Sequence, residues 1–229
     1  MYKVILWDVD GTVLDFDAAE RASIEEGFVY FSLGTCTDEM LEDYNRINKK
    51  YWEALERGEL EKKEILTGRF EEFLGKYGLD TSIASEFNRK YQLWLGDYIF
   101  FRDDAYELLR KLKGKILQFA VTNGTKVAQE KKLKRSELDQ IFDDIFISED
   151  LGVEKPNVGF FEKVFDKIGD HDKSQVLIVG DSLTSDIKGG NNFGIKTCWY
   201  NSEGKVNDKG LEIDYEIKSL DEVLGIIEV

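Results

Sequence analysis

The sequence predicts an α/β fold: a Rossmann-like parallel sheet, with helices on both faces and an all-helical segment inserted after its first strand. Three observations predict it. Short apolar segments, several rich in β-branched residues, recur at Val4 to Trp7, Ile116 to Val121, Ile145 to Ile147, Val176 to Val179 and Lys196 to Tyr200, as expected of strands buried on both faces. Helical patterns separate the later ones, at Lys126 to Lys134, Gly159 to Ile168 and Leu183 to Phe193, and such alternation implies parallel pairing. From Asp17 to Tyr98 there is no strand pattern, only helix-length runs of Glu, Lys, Leu and aromatics.

In chain order, the first strand leads directly into the insertion. Asp17 with Glu20 is predicted to cap its first helix, and Gly34, Gly58 and Gly78 punctuate the rest. Its aromatics (Phe28, Tyr44, Trp52, Phe70, Phe73 and Trp94) are expected to form a core. After the fifth strand, Tyr215 to Ile217 reads as a last short strand, and Ser219 to Glu222 as a capping box opening a final helix. The expected division is residues 1–16 and 99–229 for the α/β core and 17–98 for the helical insertion.

A chain of 229 residues suits one domain with a large insertion, or two small ones. Its net charge of −15 disfavours nucleic-acid polymers and anionic membrane surfaces as partners. A small phosphorylated ligand remains compatible if a local cation offsets the charge. Cys36 and Cys198 are the only cysteines, which gives no disulfide framework and no CxxC pair, so a reducing cytoplasm is the expected compartment. The apolar run from Tyr2 to Trp7 is far too short for a signal peptide or membrane span, and Asp8 ends it.

Four strand ends carry chemistry. Asp8-Val9-Asp10-Gly11-Thr12 follows the first strand, at the end where open α/β sheets bind ligands. Asp8 and Asp10 point the same way in extended chain, although a turn with solvent-facing acids would explain them equally well alone. Gly180-Asp181-Ser182-Leu183-Thr184-Ser185-Asp186 adds a second acidic cluster after another strand. A helix cap accounts for one of those acids, not both. If the strands are neighbours, Asp8, Asp10 and Asp181 concentrate negative charge, which a hard cation such as Mg²⁺ resolves when a phosphate completes its shell. Thr122-Asn123-Gly124 offers a hydroxyl, an amide and backbone N–H groups to a phosphate oxygen. Lys155 precedes the only proline, Pro156, which restrains the backbone beside a potential phosphate-positioning cation.

These motifs, in this order, resemble the haloacid dehalogenase (HAD) superfamily of phosphohydrolases: DVDGT with Asp8 and Asp10, then Thr122, Lys155, and GDSLTSD with Asp181 and Asp186. The insertion matches that superfamily's helical cap. Asn48, Trp52, Gly58, Arg69 and Phe70, with Ile147-Ser148-Glu149, Gly152-Val153 and Thr197-Cys198-Trp199, resemble its pyrimidine 5′-nucleotidase subgroup. The resemblance implies a phosphatase for pyrimidine nucleoside monophosphates in which Asp8 is the nucleophile and Asp10 the acid and base. It implies Mg²⁺ held by the Asp8 carboxylate, the Asp10 carbonyl and Asp181. Thr122, Asn123 and Lys155 would bind the phosphoryl group, and Asp186 would orient Lys155 or a metal-bound water. A sugar-phosphate phosphatase or phosphomutase would keep every motif. A dehalogenase has no need of Asp10 and Asp181, and a non-catalytic phosphate-binding protein should have lost at least one of these residues. Arg69 could touch a substrate from the cap, but a surface salt bridge is the expected reading.

Overall fold

A computed structural model describes residues 1–227; the last two residues of the 99–229 core segment lie outside the described residues. Its strands are β1 (Val4–Trp7), β2 (Leu117–Thr122), β3 (Asp144–Ile147), β4 (Val176–Gly180), β5 (Lys196–Tyr200) and β6 (Tyr215–Ile217). They form one sheet in the order β3-β2-β1-β4-β5-β6, and every neighbouring pair is parallel. The predicted α/β sheet is therefore present, with strand ends displaced by a residue at most. Strand order reverses at β1, so its C-terminal end lies at the switch point where such sheets leave a crevice.

The insertion contains α1 (Phe16–Tyr30), α2 (Asp38–Glu56), α3 (Lys62–Lys76) and α4 (Ala84–Leu95). These helices close on a separate aromatic core that includes Phe28, Tyr44, Phe70, Phe73, Phe87 and Tyr91. Tyr44 stacks on Phe70 with ring centroids 5.1 Å apart. Trp52 and Trp94 are only half-buried.

The first helix starts earlier than its sequence suggested. Asp15, in extended conformation, is the cap, and its carboxylate accepts the Ala18 N–H at 3.1 Å. Asp17 instead falls in the first turn and pairs with Arg102 at 3.2 Å. Glu20 turns inward and is buried.

The remaining helices are α5 (Ala105–Leu112), α6 (Lys126–Arg135), the single turn α7 (Ser148–Leu151), α8 (Val158–Ile168), α9 (Lys188–Phe193) and α10 (Val223–Ile227). Alternate β1 side chains face opposite ways. Ile5 and Trp7 pack with Leu109 of α5, Leu133 of α6 and Val223 of α10. Val4 and Leu6 pack with Phe160 and Phe161 of α8 and Phe193 of α9. The capping box is present: the Ser219 side chain takes a backbone N–H and Glu222 reaches back to the cap.

The predicted continuous helix from Leu183 to Phe193 is interrupted. A wide π-helical turn spans Leu183–Ile187 before α9 begins. The Ser182 hydroxyl accepts the Ser185 N–H at 3.2 Å, while the Asp186 carboxylate accepts the Ser182 N–H at 3.1 Å. The extra residue in this turn sends Asp186 back beneath the sheet's end, a use typical of π-bulges at functional sites. Among the described residues, no helix is long and apolar enough to cross a membrane.

Candidate active site

Register brings the charged strand ends together. Trp7 lies opposite Ala120 of β2 and Val179 of β4, so the chain emerges from β1 between Thr122 and Asp181. Asp8 anchors there by donating its N–H to the Val179 carbonyl at 2.9 Å. One of its carboxylate oxygens accepts from Lys155 Nζ at 2.8 Å and the other from the Thr12 hydroxyl at 3.1 Å. Burial, then the carboxylate of Asp186, push the Asp8 carboxyl well above its usual range, with Lys155 opposing.

Lys155 is 1 % exposed and uses all three of its donors. They go to Asp8, to the Val121 carbonyl at 2.8 Å, and to Asp186 at 2.6 Å. Burial works against its charge, but Asp186 and Asp8 outweigh that and hold the ammonium above its ordinary range. The peptide bond from Lys155 to Pro156 is cis. Asn123 accepts the Lys155 N–H at 2.9 Å and donates to its carbonyl at 2.8 Å. The Asn123 amide thus braces the Lys155 backbone. Thr122 is buried, and its hydroxyl accepts the Gly124 N–H at 3.0 Å.

Thr12 links the two acidic clusters. Besides Asp8, its hydroxyl approaches the Asp181 carboxylate at 3.3 Å and accepts the Asp181 N–H at 3.0 Å. Burial first, then Asp186, push the Asp181 carboxyl up to about 7. Gly11 is required beside it. Its φ is +92°, and a Cβ there would lie 2.8 Å from the Asp181 carboxylate.

One oxygen each from Asp8, Asp181 and Asp186 falls within 4.8 Å of the others. Mutually repelling oxygen donors of this kind, two buried and one half-buried, fit a hard divalent cation. The Asp10 side chain is not in that cluster. Its two carboxylate oxygens accept from Gln129 and Lys132 of α6.

Helices of the insertion roof the site. A cavity of about 190 Å³ lies between Asp8, Thr122 and Lys155 below and Trp52, Arg69 and Gln92 above. An outer cleft of about 660 Å³ shares its Asp10, Asn48, Trp52 and Asp181 wall. Arg69 is not in a surface salt bridge. It is 1 % exposed, and its guanidinium donates to Asn48 at 2.6 Å and Asn88 at 3.1 Å. Asn48 in turn donates to Glu20 at 2.6 Å. From the tip of α3, Lys62 reaches the core, donating to the Asn123 carbonyl at 2.8 Å and the Ser148 hydroxyl at 3.1 Å.

Thr12, Lys132, Gln129 and Lys62 were not singled out from sequence. Thr12 could have been, because it sits inside the DVDGT motif. Lys132 shares the buried face of α6 with Ala128, Gln129 and Leu133, a spacing that would have marked it.

Residues 2–194 match the haloacid dehalogenase-like hydrolase family. The chain is 37% identical over 228 residues to the YfnB protein of Bacillus subtilis (strain 168), covering 100% of this chain and 96% of that one. A crystal structure of YfnB, described as bound to magnesium and revealing interdomain movement, superposes with a TM-score of 0.93 over 100% of this chain and 99% of that one. Pyrimidine 5′-nucleotidase PynA of Streptococcus pneumoniae (strain ATCC BAA-255 / R6) is 34% identical, over 99% of this chain and 95% of its own. Pyrimidine 5′-nucleotidase YjjG of Escherichia coli (strain K12) is 31% identical, over 96% and 95%.

Proposed function

The chain belongs to the haloacid dehalogenase-like hydrolases, and on that premise we propose that it is a Mg²⁺-dependent phosphatase of pyrimidine nucleoside 5′-monophosphates, working through an aspartyl-phosphate on Asp8. The observation that carries this reading is the Asp8 carboxylate at the floor of a roofed cavity, held by Lys155 and Thr12 beside Asp181 and Asp186. Full-length similarity to PynA and YjjG supports the choice of substrate.

Asp8 attacks phosphorus in line, forming an O–P bond as the bond to the nucleoside oxygen breaks. Asp10 gives that departing oxygen a proton. Water then attacks the phosphorus, Asp10 takes its proton, and the Asp8–phosphorus bond breaks to release phosphate. Lys155 exchanges its contact with Asp8 for a phosphoryl oxygen, and the Thr122 hydroxyl with the following backbone N–H groups receives another. Asp186 keeps Lys155 aligned during that exchange. Asp8, Asp181 and the Asp10 carbonyl would hold the cation, with Asp186 beside them; when bound, it neutralises charge developing on the transferring group. The helical insertion excludes water and faces the nucleoside.

The test is phosphate release with Mg²⁺ from pyrimidine and purine nucleoside monophosphates and from sugar phosphates, with Asp8→Asn as the blank. Pyrimidine nucleotides should be the best substrates and Asp8→Asn should be inert. Activity confined to sugar phosphates sinks the nucleotidase reading, and activity surviving in Asp8→Asn sinks the mechanism.

A further inference from the structure

Asp8, Asp181 and Asp186 take their side-chain hydrogen bonds from within the motifs, whereas the Asp10 carboxylate takes its own from outside them. Both its oxygens accept hydrogen bonds from one helix: Gln129 Nε2 at 2.5 Å and the Lys132 ammonium. The donors stand three residues apart on α6 and so share a face. Both are almost completely buried, at 1 % and 2 % exposed. A buried lysine needs a partner, and among the described residues the acceptor of Lys132 is Asp10, with the Phe16 ring 5.9 Å away. Gln129 is fixed from behind: a Cβ at position 124 would lie 2.0 Å from its Nε2, so it fits only against glycine. Since a carboxylate can only accept, the Gln129 amide must present its nitrogen to Asp10. Its Oε1 has no partner among the described residues.

We propose that Lys132 and Gln129 are positioning residues that hold Asp10 as the base for water attack on the Asp8 acyl phosphate. This rests on the phosphatase reading above. A donor on each oxygen fixes the plane of the carboxylate, and attack by a free water depends on that plane more than does loss of a nucleoside oxygen that the cavity already holds. The clamp therefore serves the second half-reaction, the hydrolysis of the intermediate, more than the first.

The test uses the full chain with Mg²⁺ and a ³²P-labelled pyrimidine nucleoside monophosphate. Lys132→Met keeps the stem against Phe16 and removes the donor. Its kcat should fall about 100-fold, the usual effect of misplacing a catalytic group. Its kcat/KM should stay within about threefold, because that ratio reports only steps up to formation of the intermediate. Acid-quenched phosphoenzyme should rise to most of the protein, and Lys132→Arg should restore turnover. Gln129→Met, which preserves the fit against Gly124, should show the same pattern at about 10-fold, and it answers the question if Lys132→Met does not fold. A parallel fall in kcat and kcat/KM without trapped phosphoenzyme, in the folded variants, overturns the proposal. Absence of Asp8-dependent phosphoenzyme and phosphate release in the wild type would instead overturn the phosphatase reading itself.

Discussion

Replacing Lys155 by methionine isolates what the buried ammonium contributes to the fold. The side chain keeps its length but loses three donors, at 2.6 Å to Asp186 and 2.8 Å to both Asp8 and the Val121 carbonyl. Two carboxylates are then left buried without their cation. Removing one partner of a buried ion pair costs about 3–5 kcal/mol. The lower half of that range applies, because burial and Asp186 already push Asp8 towards its neutral form and a proton can replace the lost charge. At roughly 2–4 °C per kcal/mol for a chain of this size, the melting temperature should fall by roughly 6–16 °C. Urea and thermal unfolding at pH 7, without divalent metal, measure it. Repeating the melts with Mg²⁺ adds a second arm: the ion supplies the missing positive charge, so the variant should gain more stability from it than the wild type does. A loss below about 1 kcal/mol without metal, the size of an exposed pair, would show that Lys155 is not what makes these acids tolerable.

Glu20 gives a pH dependence. Burial pushes its carboxyl up to about 7 against an ordinary 4.5, with Arg69 opposing, so the folded state holds the proton more tightly than the unfolded chain. Ionising it therefore weakens the fold progressively between pH 4.5 and 7, by about 3 kcal/mol once complete. Glu20→Gln lacks this penalty and should gain on the wild type in urea unfolding at pH 8 compared with pH 5; a constant difference refutes it. Lys62→Met removes the ammonium that ties α3 to the Asn123 carbonyl and Ser148. It should raise the radius of gyration in small-angle scattering and raise KM more than it lowers kcat, and unchanged scattering would count against a closing role. A nucleotide analogue with CH₂ in place of the ester oxygen should bind about a thousandfold more weakly without Mg²⁺, from about 4 kcal/mol for one charge pair at this depth. Calorimetry showing equal affinity with and without the ion would refute that.

Much of the site was legible because parallel register does predictable work. Asp8, Thr122 and Asp181 each follow an apolar strand, and adjacent strands with aligned ends must bring them together. Lys155 was legible through its proline. Lys132 was missed: it shares the buried face of α6 with Ala128, Gln129 and Leu133, but it stands in KVAQEKKLKR among three other lysines and its partner, Asp10, is distant in sequence. Arg69 resembled a surface residue because the polar groups that bury it, Asn48 and Asn88, come from two other helices. The choice of Asp15 over Asp17 as cap turned on one residue's backbone angles, which composition does not encode. The π-helical turn at Leu183–Ile187 was hidden for the same reason. Helix α5 was missed although Leu108, Leu109 and Leu112 form a stripe on one face.

A chain of net charge −15 is a poor receptor for a phosphate dianion, and the site sharpens that conflict. Four carboxylates, Asp8, Asp10, Asp181 and Asp186, converge there with two ammonium groups, and both are already paired: Lys155 with Asp8 and Asp186, Lys132 with Asp10. Neither lysine can meet a phosphate without uncovering an acid. The lysines therefore serve first to let the carboxylates coexist, and the contact Lys155 would give a phosphoryl oxygen brings little net attraction, since it uncovers Asp8. A divalent cation would relieve the repulsion that otherwise helps to push Asp8 and Asp181 towards their neutral forms, and three of the four acids offer an oxygen at a common point. Ion and phosphate then favour each other's binding by the same factor, as linkage requires. On this logic an acidic protein can select an anionic metabolite through its carboxylates, because they recruit the ion that recognises it.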